Sequence, residues 1–499
     1  MDLNAFRPIG EIMDGYAEER PDEDVLVEVS RSGERRAMTY AQLRDASDSV
    51  AALLWDASEK RPFCAIVELP NCSDHIVWAI GIWKAGGCYV PVSTRLSEEV
   101  RQMVLDALDP AVMVTERECG HRENCHVYAP RDPRLQDVDP SALPADAACT
   151  SCKIILTAGT TGTPKAVMQD SAIGASAEIL ADWFRMSGQD YDQTQLLIGP
   201  LNHGAAGSSA FMGLMAGHRL AIMEKADARQ ALELIVDLKV NAISMVPTMM
   251  RRIAALPEVD DADLSSLTAL CHTGGFCTQE LKRRWIGLVG AEHVYEIYSM
   301  SELIGMTVIR GDEWLQHPGS VGKAVDCEIA IREDGVELPP GVVGEIYMRR
   351  TGGVAMRLSD DEEAKRVKSP DGFYCVGDMG YLDDEGYLHF SDRRTDMIVT
   401  GGMNVYVCEV EREILRHPEV SEAAVVGVPD PEWGKKICAY VVMKPQDHPA
   451  SDEDRAQVLK AFLKLRLDSY KIPKQFHFVE SLPTNEAGKV LRHRLISHE

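Results

Sequence analysis

The chain has 499 residues, 45% of them hydrophobic and 26% charged, the proportions of a globular protein with several cores rather than a fibrous or disordered one. Its 78 acidic residues outnumber 52 basic ones, for a formal charge of −26, which excludes a general nucleic-acid or anionic-membrane surface and leaves anionic ligands to local basic sites. The apolar stretch near Ile76 to Trp83 is far shorter than the roughly 20 residues that span a bilayer. Met1 to Arg20 carries charges throughout, with no basic segment leading into an apolar one, and the thirteen cysteines are scattered. The expectation is a cytoplasmic protein with reduced thiols, no nucleic-acid partner and no membrane insertion.

In the first 150 residues helical patterns alternate with short β-rich runs. Thr39 is positioned to cap a helix that runs through Val50 and Leu54; Ala65 to Leu69 follows as a strand. A helix through Trp78 and Trp83 ends at Gly86 and Gly87 and gives way to another strand, up to Val92. Cys119, His121, Cys125 and His126 precede a C-x-x-C at Cys149 and Cys152, but these spacings match no usual zinc finger or ribbon, so they read as separate thiols.

The apolar run Ile154 to Leu156 leads into Thr157-Ala158-Gly159-Thr160-Thr161-Gly162-Thr163-Pro164-Lys165. Backbone N–H groups, hydroxyls and one cation there can converge on a small polyanion. It is not a Walker loop, because Pro164 stands where the second glycine of that motif belongs. The β-α-β rhythm resumes with a helix over Leu232 to Leu238, a strand over Ala242 to Val246 closing in a turn at Pro247-Thr248, a strand stopping at Gly274-Gly275 and another over Val294 to Ser299. Such alternation predicts an α/β fold of mainly parallel sheets covered by helices, with ligands at the carboxyl ends of the strands. From Val321 short strands and tight turns predict a small antiparallel or barrel-like unit. Ser391 to Thr395 is the candidate hinge. Beyond it, a helix over Val410 to Arg416, strands over Ala423 to Val428 and Ile437 to Met443, and a helix over Arg455 to Leu467 predict a compact α+β domain.

Several of these segments, in their order along the chain, resemble the motifs of the adenylate-forming superfamily of acyl- and aryl-CoA ligases, luciferases and peptide-synthetase adenylation domains. The resemblance implies a large adenylation domain over residues 1–394 and a small mobile domain over 395–499. It implies that Thr157, Thr160, Thr161, Gly162 and Lys165 hold the β- and γ-phosphates of ATP, although Ala158 and Ala166 replace a common serine and glycine. Gly274-Gly275 resembles the turn that borders adenine. In Tyr298-Ser299-Met300-Ser301-Glu302 the tyrosine is expected to stack on adenine, Ser301 to join the nucleotide site and Glu302 to bind Mg²⁺. Asp378, in Tyr374-Cys375-Val376-Gly377-Asp378, and Arg393 are the expected ribose contacts. Thr395 stands at the hinge position, Gly401 and Gly402 belong to the loop that builds the thiol tunnel, and Lys489 in Pro483-Thr484-Asn485-Glu486-Ala487-Gly488-Lys489 matches the lysine that bridges carboxylate and α-phosphate.

The implied reaction is ATP-dependent activation of a carboxylic acid, then transfer to a thiol. His203, after Pro200-Leu201-Asn202, is expected to face the substrate carboxylate, and the acid pocket is expected to include Asn202, Ala205, Met245, Phe276, Met300, Ile304 and Gly305. That set is largely apolar and has no aspartate after His203, which favours an aryl or medium apolar acid. With no carrier segment after Glu499, coenzyme A is the expected acceptor, with Trp433, Tyr470, Lys471 and Lys474 as candidate contacts. A separate carrier protein, nitrite activation for diazotisation of an aryl amine, and a luciferase-like oxidation are the alternatives. Both a monomer and a homodimer are compatible with the sequence.

Overall fold

The computed structural model describes residues 4–57, 62–119, 122, 124–142, 153–157, 165–169, 172–300, 303–351, 356–358, 368–393, 396–400, 403–431, 433–445, 451–486 and 488–496. Two large sheets carry most of the chain. The seven-stranded sheet runs Met356–Leu358, Lys165–Gln169, Lys153–Thr157, Cys88–Pro91, Cys64–Glu68, Val112–Thr115 and His126–Tyr128. The nine-stranded sheet has Ala269–His272, Ala242–Met245, Thr194–Leu197 and Arg219–Met223 at its centre. Inner pairs in both are parallel and antiparallel pairing is confined to the margins, as expected where helices cover both faces.

Local chemistry explains the main covering helices. Helix Tyr40–Ala57 opens on a reciprocal cap: Gln42 N–H donates to Thr39 Oγ1 at 3.3 Å and Thr39 N–H donates to Gln42 Oε1 at 3.0 Å. Helix Ser73–Lys84 is buried almost all round, and its terminal Lys84 Nζ is tolerated there because Asp14 and Asp48 take it at 2.5 and 2.6 Å. Trp83 fills the space between the sheets, edge-on to Tyr89 at 5.2 Å and to Phe211 of helix Gly204–Met215 at 4.9 Å.

Residues beyond the second sheet form a five-stranded antiparallel sheet, Val336–Glu337, Cys327–Glu333, Gly344–Arg350, Tyr374–Leu382 and Leu388–Arg393. The last part of the chain packs helices Val407–Leu415 and Asp452–Lys464 on a three-stranded sheet, Val420–Asp430, Gly434–Met443 and Gln475–Phe478, through Val410, Ile414, Leu459 and Leu463. Among the described residues no helix is long and apolar enough to cross a membrane.

Three sequence expectations shift. Pro247-Thr248 does not close a turn: Pro247 opens helix Pro247–Ala254, a position where its missing N–H costs nothing. The helix expected over Arg455 to Leu467 starts earlier, at Asp452, because Ser451 Oγ accepts from Asp454 N–H. The expected hinge run is part strand: Ser391 to Arg393 ends strand Leu388–Arg393, and Asp392 is fully buried there. Thr395 and the 394/395 domain boundary lie outside the described residues.

Candidate active site

Parallel neighbours Ala242–Met245, Ala269–His272 and Val294–Ser299 end together, so Val246-Pro247-Thr248, Thr273 to Phe276 and Met300 to Gly305 follow side by side. This is the crevice an open α/β sheet leaves for a ligand. Gly274 turns with φ +77°, and both it and Gly275 are exposed, so the backbone is open to a planar group. Helix Gly204–Met215 points its N-terminus at the same region, with His203 as the residue before it. A Cβ added at Gly204 would lie 3.4 Å from Ile155 of strand Lys153–Thr157, which brings the strand that precedes the threonine loop against this helix end.

Thr157 and Lys165 are register partners at the end of an antiparallel pair, so both ends of the threonine loop stand at one point. Thr160, Thr161, Gly162, Ser301, Glu302, Gly401 and Gly402 lie outside the described residues, as do the side chains of Thr157, Lys165 and Arg393. Arg393 pairs through its backbone with Asp378 on strand Tyr374–Leu382. The Asp378 carboxylate accepts the Tyr298 hydroxyl at 2.6 Å, and the Tyr298 ring centroid is 5.9 Å from that of Phe390. Just before Asp378, Gly377 has φ +79° and open space where a Cβ would stand.

The second wall comes from the end of the chain. Thr484 and Val490 bridge, Asn485 N–H donates to the Lys489 carbonyl at 2.9 Å, and Lys489 N–H donates to Asn485 Oδ1 at 2.9 Å. The result is a short hairpin with Gly488 at φ +77°. It is seated on the large domain: Thr248 Oγ1 donates to the Gly488 carbonyl at 3.1 Å, Asn202 Nδ2 donates to Glu486 Oε2 at 3.5 Å, and Arg95 Nε lies 3.2 Å from Glu486 Oε1. His203 opens onto the cleft between the two walls. Surrounding protein and then the Lys489 cation push its pKa below the ordinary 6.5, against an opposing pull from Glu486, so the ring is neutral at neutral pH. Arg95, Thr248 and Glu486 escape sequence reading; Glu486 sits inside the lysine motif, but nothing in the sequence pairs it with a residue nearly 400 positions away.

Met245 is 4% exposed at the end of its strand, while Phe276, Met300 and Ile304 are half-buried and Ala205 is exposed. Met300 and Ile304 pack with Tyr298 against the core of the antiparallel sheet. A Cβ at Gly305 would come within 2.9 Å of Cys327 Sγ, so this glycine permits the 300–305 loop to lie close on that sheet. Asn202, expected in the acid pocket, donates its side-chain amide to Glu486 at 3.5 Å. Behind the glycine turn, His272 is wholly buried with neither ring nitrogen hydrogen-bonded, and burial lowers its pKa to about 4. Its neighbour Glu296 accepts Lys282 Nζ at 2.6 Å.

Of the residues considered for coenzyme A, Lys471 Nζ donates to Glu409 at 2.9 Å, and Lys474 Nζ lies 5.0 Å from the centroid of the exposed Trp433 ring. Cys119 accepts from Arg101 at 2.9 Å; His121, Cys149 and Cys152 lie outside the described residues, and among those described no three His, Cys, Asp or Glu side chains cluster as metal ligands.

Residues 13–357 match the model of the AMP-binding enzyme family and residues 409–489 match that of the AMP-binding enzyme C-terminal domain. The chain belongs to the AMP-binding enzyme family. A 2-succinylbenzoate–CoA ligase of Bacillus licheniformis is 32% identical over 471 residues, covering 92% of this chain and 94% of that protein. The fatty acid–[acyl-carrier-protein] ligase ScoC of Streptomyces coeruleorubidus is 30% identical over 502 aligned positions, covering 93% and 92%. The structure of o-succinylbenzoate CoA synthetase from Bacillus subtilis with its acyl-adenylate superposes with a TM-score of 0.78 at 26% identity, covering 98% of each chain. The architecture is therefore that of a two-domain AMP-binding enzyme, a ligase that uses ATP. The residues present fit a nucleoside: an open glycine backbone, an aromatic ring and an oriented carboxylate converge on one crevice.

Proposed function

We propose that this AMP-binding enzyme joins a small carboxylic acid to coenzyme A in two steps at one site. The observation that carries this reading is the Lys489 hairpin seated across the cleft on Thr248 and, through Glu486, on Arg95, beside His203. In the first step a carboxylate oxygen attacks the α-phosphorus of ATP, the bond to the bridging oxygen breaks, and pyrophosphate leaves. Such chemistry needs positioning and charge neutralisation more than an enzyme nucleophile. Lys489 is assigned to the charge between carboxylate and α-phosphate, neutral His203 to the carboxylate, and Thr157, Thr160, Thr161, Gly162 and Lys165 to the departing pyrophosphate. Asp378 and Arg393 are assigned to the ribose, Tyr298, Ser301 and Gly274-Gly275 to the adenine end. Glu302 would hold Mg²⁺, which supplies charge neutralisation on phosphate oxygens.

In the second step a thiolate attacks the acyl carbonyl carbon and AMP leaves. Rotation about Thr395 would withdraw Lys489 and bring Gly401 and Gly402 to the cleft. Met245, Phe276, Met300 and Ile304, with small residues at Ala205 and Gly305, suit an aryl ring, and the likeness to 2-succinylbenzoate–CoA ligases supports an aryl acid. The likeness to ScoC supports a second reading in which the thiol belongs to an acyl carrier protein. The scattered cysteines fit a reducing cytoplasm. Pyrophosphate release measured over a panel of aryl, fatty and amino acids, each with coenzyme A, with carrier protein and with neither, tests the reading. Release driven by an aryl acid and thioester formed with coenzyme A are expected; release from nitrite alone would overturn the assignment of the acid.

A further inference from the structure

The Lys489 hairpin has no covalent reason to remain in the cleft, since the small domain that carries it is joined to the large one only near residue 395. Two contacts register it on the large domain. Thr248 Oγ1 holds the turn itself through the Gly488 carbonyl. The other is ionic: Glu486, three residues before Lys489, lies between Arg95 Nε at 3.2 Å and Asn202 Nδ2 at 3.5 Å. Arg95 follows strand Cys88–Pro91 of the seven-stranded sheet, whereas Thr248 belongs to the nine-stranded sheet's crevice. The turn that leads into Lys489 is thus fastened to segments of both large sheets, through Glu486 and through Gly488.

We propose that Glu486 is a positioning residue, and that its ion pair with Arg95 latches the Lys489 hairpin in register for acid activation but takes no part in thioester formation. The inference rests on the two-step reading above. Three features fit a latch rather than a permanent strut. Arg95 keeps 60% of its side chain exposed and Glu486 22%, so the pair can separate into water at small cost. The hairpin's own hydrogen bonds, Asn485 N–H to the Lys489 carbonyl and Lys489 N–H to Asn485 Oδ1, are internal and travel with it when the pair opens. Glu486 also opposes the effect of Lys489 on His203, so removing it changes the charge felt by the residue assigned to the substrate carboxylate.

Charge reversal tests the latch. Arg95→Glu and Glu486→Arg are each expected to slow acid-dependent pyrophosphate release about fivefold and to leave thioester formation from supplied acyl-adenylate unchanged; the double reversal is expected to recover most of the lost rate. Added salt should slow the wild type towards the single variants. Amide hydrogen exchange of residues 93–97 and 248–250, the large-domain segments on which the hairpin is seated, followed on the protein without substrates, reads the same coupling independently of activity. Both single variants should exchange faster and the double variant should not. If exchange responds and pyrophosphate release is absent in every protein, the latch stands and the acid-activation reading falls. If release is present but neither single variant alters it, or if the double reversal recovers neither rate nor protection, the latch is refuted.

Discussion

Replacing Tyr298 by phenylalanine keeps the ring and removes only the hydroxyl that donates to Asp378 at 2.6 Å. A short hydrogen bond to a carboxylate is worth about 1.5–3 kcal/mol when made, but this one exists before any nucleotide arrives, so most of that value belongs to folding rather than to binding. What ATP binding loses is the prior ordering of the Asp378 side chain, about 0.5–1.5 kcal/mol for one immobilised side chain, which converts to roughly 2- to 12-fold in affinity. Tyr298→Phe is therefore expected to weaken ATP about fivefold, read as Kd by calorimetry and as KM in pyrophosphate release, with little change in the KM of the acid. A fall in thermal stability with unchanged ATP affinity would refute the assignment of Asp378 to the nucleotide. An equal rise in the KM of the acid would refute the separation of the two subsites.

His203 is held below its ordinary pKa of 6.5 by the surrounding protein and by Lys489, so the activation rate should stay level from neutrality down to about pH 6.5 and fall only below it. An acid limb centred above pH 6.5 in the pH–rate profile contradicts this. His272 has a folded-state pKa near 4, below its unfolded value, so the unfolded ring takes up a proton that the folded one refuses, and stability is lost as the pH falls from 6.5 towards 4. His272→Leu removes two unbonded buried nitrogens; by urea unfolding it should be neutral or about 1 kcal/mol more stable at neutral pH and should lose less on acidification. Destabilisation by more than about 2 kcal/mol would show that the ring has a partner role.

The fold was legible where local chemistry and tertiary packing agree. Thr39 and Gln42 form the expected helix start because the cap needs only residues three apart. The parallel sheets follow from apolar runs such as Ala242 to Met245, buried on both faces. Pro247 was misread because proline serves both a turn and a helix's first residue, and only packing under helix Pro247–Ala254 decides. The Ser391 to Thr395 run looked like a linker from its polarity, yet Asp392 is fully buried and accepts Cys408 N–H at 3.1 Å, a partner 16 residues on. At the site, Lys489, Tyr298 and Asp378 are singled out in the sequence only because their segments resemble the family's motifs, and the structure joins Tyr298 to Asp378. The Arg95–Glu486 and Thr248–Gly488 contacts were not, because they join segments whose proximity only the assembled domains create.

In the proposed reaction the hairpin brings Lys489 to the cleft for the first of two steps. Lys489→Ala should therefore lower acid-dependent pyrophosphate release by about 100-fold or more, while thioester formation from supplied acyl-adenylate is retained. Pyrophosphate release that proceeds at the wild-type rate in Lys489→Ala would contradict the account.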